Sequence, residues 1–303
     1  MNTGALLMLH PRRGISGAAA TAGFAAAERR ANEIEDIFSR FRPASELSRL
    51  NDAAGSWVPM SAEMAQVLEY ALGLHEATGG LFDPAILPDL ERAGYDRTFE
   101  ALPADRPASA VPARSHPSFS DIELSGQKVR IPETMRVDLG GIVKGWTADT
   151  LAASLGKLGP CLVELGGDTA VHGVPPDTEG WSIGVSSADA PEEIIAIVEV
   201  ATGGVATSGT EARRWRVDGS WAHHLIDPRT GEPAQTDLRQ VTAFGPSALT
   251  AEVWAKAALI AGSQACGPLL IKRPDIQLVL VPIDGVPVAS PGVPLLTAAP
   301  SVA

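Results

Sequence analysis

The chain has 303 residues, which is enough for two ordinary domains or for one large domain of two lobes. Hydrophobic residues make up 45% and charged residues 20% of the chain, a globular composition that excludes general disorder. The 24 Lys and Arg against 36 Asp and Glu give a net charge of −12, and the lack of a basic cluster argues against nucleic-acid binding. These features favour a small-molecule enzyme or a protein-binding module.

The N-terminal sequence MNTGALLMLHPRRG lacks the long apolar stretch and the small-residue cleavage site of a signal peptide. No run of about 18 apolar residues occurs, so the sequence predicts no membrane-spanning segment and a cytoplasmic location. Cys161 and Cys266 each lie in an apolar context, and we expect both thiols to be buried and reduced.

The first half of the chain predicts two helices and a loop. Apolar residues recur at helical spacing from Thr21 to Phe41. A second helix is expected from Ser61, as N-cap, to about His75. Four prolines between Pro103 and Pro117 predict a surface loop at a lobe boundary, within one domain covering residues 1–303.

The second half is rich in short strands. A helix is predicted over Lys144–Leu158 and another over Ser247–Ala261, and a final hairpin is predicted over Ile276–Pro282 and Val286–Val288. The other predicted strands are Ile122–Leu124, Lys128–Ile131, Met135–Leu139, Cys161–Leu165, Trp181–Val185, Ile194–Val200, Gly204–Thr207, His223–Ile226 and Gln240–Gly245. Because strands and helices do not alternate strictly, an α+β fold is favoured over a doubly wound sheet.

Two Gly-flanked clusters could carry chemistry. In Val137–Gly145, Asp138 ends a predicted strand, two glycines follow, and Lys144 stands at a helix start, a pattern suited to phosphate. In His223–Gly231, a histidine could act as a general base, and adjacent histidines on a strand would point to opposite faces. An ordinary tight turn in the first case, and a structural histidine in the second, remain open alternatives.

The predicted helix Ser247–Ala261 carries only two charges, Glu252 and Lys256, at a spacing that places them on one face. Burying an ion pair without further partners is costly, so we expect this pair to face a cleft.

Seven segments of the chain, taken in order, form a recognisable pattern. The segments are SRFRPASELSRLN (39–51), TGGLFDPAILPDLERAGYD (78–96), VDLGGIVKGWTADTLA (137–152), VELGGD (163–168), ATSGTEARRW (206–215), HLIDPRTGEP (224–233) and VTAFGPSALTAEVWAKAALIAG (241–262). Together they resemble the ApbE family of FAD:protein FMN transferases, over about Ala31 to Leu280.

The resemblance implies a two-lobed α+β fold with FAD in the cleft between the lobes. It implies an enzyme, a flavin transferase that cleaves FAD with Mg²⁺ and attaches FMN to a Thr or Ser of a target flavoprotein, releasing AMP. The residues it implies are Phe41, Leu81, Phe82 and Asp83 on the adenine and ribose side, Asp138, Lys144 and Leu225 as further FAD contacts, the Gly141 carbonyl at the metal, and His224 as the base.

The last helix departs from the family pattern, in which an Asp and, four residues later, a Thr are metal ligands. Here Glu252 could still ligate Mg²⁺, but Lys256 replaces the Thr, so we expect metal dependence to be weakened and Lys256 to act in the site. We expect Lys256 to pair with Glu252 and stand in for the metal; in the other outcome, Mg²⁺ binds weakly through Glu252 and water while Lys256 holds a phosphate. Two alternatives stay open: an FAD pyrophosphatase, and a non-catalytic FAD-binding protein without the usual Mg²⁺ site.

Overall fold

The computed structural model describes residues 4–103, 105–107, 117–190, 192–271, 273–293 and 295–298. The described residues divide into two units that are each assembled from separate stretches of chain. Unit 1 holds residues 34–143 and 210–236, and unit 2 holds residues 4–33, 144–209 and 237–298.

Seven α-helices are described. They are α1 (Gly17–Phe38), α2 (Glu46–Asp52), α3 (Ala62–Ala77), α4 (Leu87–Arg92), α5 (Val143–Leu155), α6 (Ala248–Ala261) and α7 (Ser263–Leu270). None of these described helices combines the length and the apolar character that crossing a bilayer requires.

The strands of the described residues are mostly short. They are β1 (Ala5–Leu9), β2 (Val58–Pro59), β3 (Asp105–Arg106), β4 (Glu123–Ser125), β5 (Lys128–Arg130), β6 (Cys161–Leu165), β7 (Asp168–His172), β8 (Trp181–Ser186), β9 (Ile194–Val200), β10 (Gly203–Gly209), β11 (Arg214–Val217), β12 (Ser220–His223), β13 (Ile226–Asp227), β14 (Glu232–Pro233), β15 (Leu238–Gly245), β16 (Gln277–Pro282), β17 (Val288–Ala289) and β18 (Leu295–Ala298).

Unit 2 is built on a seven-stranded antiparallel sheet of order β1-β6-β7-β10-β15-β16-β17. Side chains alternate across its strands, as the period of two requires. In β6, Cys161 and Val163 pack with the helical residues Ala148 and Leu151. Leu162 points the other way, into a second core that includes side chains of β8 and β9, two strands of the small sheet β18-β9-β8. Helices thus cover one face of the main sheet and strands the other.

Unit 1 combines α2, α3 and α4 with three small sheets, β2-β5-β4, β12-β11-β3 and β13-β14. Helix α3 begins at the N-cap Ser61, whose hydroxyl accepts the Met64 N–H. A hydrophobic core of unit 1 contains Leu90 of α4 together with Tyr95, Trp215 and Ile226.

The described fold is α+β, as predicted, and most of the predicted elements are present. The helix predicted from Thr21 runs instead from Gly17 to Phe38, and the helix predicted to reach Leu158 ends at Leu155. Most of the Pro-rich segment predicted at 103–117 lies outside the described residues, and its described part contains β3. Cys161 and Cys266 are buried free thiols, as predicted.

Two predicted strands are wrong. Met135–Leu139 forms only an isolated bridge at Arg136, because the Asp138 N–H donates to the carbonyl of Pro84 in a turn rather than to a neighbouring strand. His223–Ile226 is interrupted: β12 ends at His223 and β13 begins at Ile226, so His224 lies between strands.

Candidate functional site

The Gly166-Gly167 pair makes the two-residue turn of the β6–β7 hairpin. Both glycines have positive φ, 58° and 90°, which is the conformation of a type I′ turn. The register then pairs Leu165 with Asp168 directly across the turn. The turn therefore makes Asp168 the first residue of β7, where it is buried and only 2% exposed.

Helix α6 begins in close contact with α5. A Cβ on Gly145 of α5 would lie 2.6 Å from backbone atoms of Ala248, so only glycine fits there. The Asp149 carboxylate accepts the Ala248 and Leu249 N–H groups, both at 2.9 Å, and the Ser247 hydroxyl accepts the Thr250 N–H. The first three N–H groups of α6, which no helix can satisfy internally, are thus all bonded.

This contact places Glu252 next to the start of α5. Its Oε2 accepts the Gly145 N–H at 3.0 Å, and its Oε1 accepts from the Lys144 ammonium. The same ammonium donates to Oδ2 of Asp168. Lys144 therefore bridges two buried carboxylates, and Glu252 is only 3% exposed. Glu252 is thus buried in an ion cluster with Lys144 and Asp168 within unit 2, whereas Lys256 on the same helix is partly exposed.

The charges of this cluster shift one another's pKa values. Burial opposes the charge on Lys144, but Asp168 and Glu252 outweigh it and raise the pKa of Lys144 above its ordinary range. Burial likewise opposes ionisation of Glu252, but Lys144, Lys256 and the Gly145 N–H together lower the pKa of Glu252. Burial and the neighbouring charge of Glu252 raise the pKa of Asp168 to about 7.

The donor set around Glu252 does not fit a hard divalent cation. Mg²⁺ requires several oxygen ligands in near-octahedral geometry. The two oxygens of Glu252 accept from the Lys144 ammonium and from the Gly145 N–H, and Asp168 accepts from the same ammonium. Across the part of the chain that the structure describes, no group of three or more His, Cys, Asp or Glu could hold a metal ion.

In unit 1, Asp138 is held by an arginine. Arg40 Nε lies 3.1 Å from Asp138 Oδ2, and the other oxygen, Oδ1, accepts the Gly140 N–H at 2.7 Å. The guanidinium of Arg40 stacks on Phe41 and Tyr95, at 4.2 and 4.7 Å from the ring centroids. Phe41 is 37% exposed, so part of its side chain is accessible. Gly141, the predicted carbonyl ligand, lies in the turn that follows Asp138.

The segment Leu81–Asp83 forms the turn after α3. Thr78 accepts the Phe82 N–H through its hydroxyl, and the buried His75 ring bonds the Phe82 carbonyl at 2.8 Å. Asp83 Oδ1 accepts the Ala85 N–H at 2.7 Å. Leu81 and Phe82 are buried, so their side chains belong to the core of unit 1 rather than to an open surface.

The two histidines differ in their hydrogen bonds rather than by strand alternation. The His223 ring bonds the Ala234 carbonyl through Nε2 and accepts the Leu225 N–H through Nδ1, and burial lowers the pKa of His223. His224 lies after the strand, half-buried, with Nδ1 3.4 Å from the Arg213 carbonyl. His223 is therefore committed to backbone bonds on both ring nitrogens. Leu225 is buried, and its carbonyl accepts the Ala234 N–H.

A family model described as the ApbE family matches residues 3–280 of the chain. The chain belongs to the ApbE family. Among curated ApbE relatives, the FAD:protein FMN transferase of Treponema pallidum is 32% identical, covering 82% of this chain and 73% of that protein. The protein of the same name from Vibrio cholerae is 29% identical, covering 78% of this chain and 72% of that protein.

Solved ApbE structures share the fold. The ApbE protein from Thermotoga maritima superposes with a TM-score of 0.83 at 24% identity, covering 96% of this chain and 97% of that one. The flavin transferase ApbE from Vibrio cholerae gives a TM-score of 0.77 at 24% identity, covering 96% and 94%.

Two residues of this ApbE chain that contact predicted site residues were not assigned a site role from the sequence. Asp168 bonds Lys144, and the signal for it was a lone carboxylate after a Gly-Gly pair at the start of an apolar strand. Arg40 pairs with Asp138, and it precedes Phe41 in the first segment of the family resemblance. Lys256 lies one turn beyond Glu252 on α6, where its positive charge contributes to lowering the pKa of Glu252.

Proposed function

We propose that this chain is an FAD:protein FMN transferase. In this reaction the pyrophosphate of FAD is cleaved, FMN is attached to a Thr or Ser hydroxyl of a target flavoprotein, and AMP is released. The observation that carries the proposal is the similarity to curated relatives of that name across most of the chain. We further propose that the transfer takes place in the cytoplasm.

Phosphoryl transfer needs a base for the attacking hydroxyl and positive charge near the pyrophosphate. We assign the base to His224, since both ring nitrogens of His223 are bonded to backbone groups. An imidazole has the right pKa range to accept a hydroxyl proton near neutral pH. Lys256 is the residue we assign to supply positive charge toward the pyrophosphate.

We assign the FAD contacts of unit 1 to Phe41, Leu81–Asp83, Asp138 and Leu225. The exposed part of the Phe41 ring suits stacking against a planar aromatic ring such as adenine. The buried side chains of Leu81, Phe82 and Leu225 restrict these residues to backbone contacts or to shaping the surface. In unit 2, Lys144 contributes through the carboxylates it holds in place, and no step of the reaction is assigned to a metal.

The test is incubation of the protein with FAD and a flavoprotein that carries the family's acceptor motif, followed by a denaturing gel. A fluorescent target band supports the proposal, and a target whose acceptor hydroxyl is replaced by Thr→Val should give no band. AMP and free FMN without a labelled target would identify a pyrophosphatase instead. Bound, intact FAD with neither product would identify a binding protein.

A further inference from the structure

The buried carboxylates of unit 2 already have a cation. The Lys144 ammonium donates to Asp168 and to Glu252, and Glu252 uses its other oxygen for the Gly145 N–H. The side chain of Lys144 is 17% exposed, and those of Asp168 and Glu252 are 3% and 4% exposed. An ammonium so enclosed leaves its partners only if another cation replaces it, because buried unpaired carboxylates are strongly unfavourable.

Lysine ammonium groups offset the carboxylate charge of the cluster. Lys144 lies between Asp168 and Glu252, and the charge of Lys256 also acts on both carboxylates. A divalent ion at this position would therefore meet carboxylates whose charge is already compensated.

A divalent ion at Glu252 would also lie close to two ammonium groups. Lys144 bonds the same carboxylate, and Lys256 lies one helical turn away, a spacing that puts Cβ atoms about 5–6 Å apart. Both ammonium charges would repel a divalent cation at that position.

We propose that the Lys144 ammonium is the resident cation of the Asp168–Glu252 pair, and that unit 2 of this chain excludes divalent metal from this position. The inference assigns to Lys144 the internal charge compensation that the sequence had suggested for Lys256. It concerns the apoprotein and does not depend on FAD or on the transfer reaction.

The first experiment uses the unaltered protein. Reductive methylation with formaldehyde and cyanoborohydride, read by peptide mass spectrometry, should leave Lys144 protected while the exposed Lys157 is modified. Addition of millimolar Mg²⁺ or Mn²⁺, or of EDTA, should leave that protection and the melting temperature unchanged. Metal-induced methylation of Lys144, or a metal-dependent rise in melting temperature that Glu252→Gln abolishes, would overturn the proposal.

The second experiment removes the ammonium. Lys144→Met leaves two buried carboxylates beside the single charge of Lys256, so this variant should bind Mn²⁺ at least about tenfold more tightly than the parent, measured by electron paramagnetic resonance. Lys157→Met, the same change at an exposed lysine, should leave Mn²⁺ binding at the parent level.

A folded Lys144→Met variant without increased Mn²⁺ binding would contradict the proposal. If the variant does not fold, the methylation result on the unaltered protein decides alone. Since none of these measurements includes FAD or a target protein, failure of this inference is distinguishable from failure of the proposed transferase activity.

Discussion

Replacing Gly145 by alanine tests the close contact of α5 and α6 that positions Glu252. The new Cβ would lie 2.6 Å from the carbonyl carbon and oxygen of Ala248 and from the amide nitrogen of Leu249. All three are backbone atoms, so no side-chain rotation relieves the overlap. The two helices must separate, and the bond from the Gly145 N–H to Glu252 lengthens from 3.0 Å.

Three contributions set the size of the effect. Alanine in place of glycine inside an unobstructed helix stabilises by about 0.5–1 kcal/mol. Overpacking of a tight contact costs about 1–3 kcal/mol. Loss of a hydrogen bond to a charged group costs about 1.5–3 kcal/mol, of which a lengthened bond forfeits a part. We therefore expect Gly145→Ala to lower the free energy of unfolding by about 2–4 kcal/mol.

The assay is urea unfolding followed by far-ultraviolet circular dichroism. Gly73→Ala is the matched control, because Gly73 is exposed inside α3 and a Cβ there would meet nothing within 4 Å. This control should raise the free energy of unfolding by about 0.5–1 kcal/mol. Equal stability changes for the two variants, or a Gly145→Ala protein as stable as the parent, would refute the role of the α5–α6 contact.

Three further predictions follow from other contacts. His224→Ala should lower FMN transfer by about 10²–10⁴-fold, whereas His223→Ala should mainly lower the melting temperature; equal losses of activity in two folded variants would contradict the assignment. Burial raises the pKa of Asp149 from its ordinary 3.8 to about 6, so the native state binds this proton more tightly than the unfolded chain, and its contribution to stability is lost as pH rises from about 4 to 6. The stability of the parent relative to Asp149→Asn should accordingly fall by up to about 3 kcal/mol over that interval in urea unfolding, and a constant difference would exclude this origin. Arg40→Met should cost about 3–5 kcal/mol by leaving Asp138 without its guanidinium; the cost should shrink in the Asp138→Asn background, and an undiminished cost would show that the ion pair is not responsible.

The sequence predicted elements best where a single periodicity runs through a segment. The strands Cys161–Leu165 and Ile194–Val200 have the predicted bounds, and the helix predicted from Ser247 is present as α6, with Ser247 as its N-cap. Met135–Leu139 alternates in the same way, yet its backbone bonds a turn instead of a strand. Alternation reports which side chains are buried, whereas a strand also requires a partner that lies far away in sequence.

The candidate site was predicted less completely, for a related reason. Lys144 follows Asp138 closely in the sequence, and its contact with FAD stays a prediction. The structure shows that its side chain bonds Asp168 and Glu252, which the β6–β7 hairpin and the α5–α6 contact bring to it. Local spacing could identify the charged residues but not their pairing, because the pairing depends on long-range packing.

The interleaving of the two units along the chain has a consequence for folding. Unit 2 needs β1 from the N-terminal stretch, β6, β7 and β10 from the middle, and β15 to β17 from the C-terminal stretch to complete one sheet. During synthesis on the ribosome, its central strand β10 therefore emerges before β15, the neighbour on one side. The sheet has a high contact order, and the edge of β10 that pairs with β15 stays unpaired until most of the chain has been made. We expect folding to be slow and largely post-translational. The species most prone to aggregation should be the partly folded chain, because its incomplete sheet exposes an unpaired strand edge.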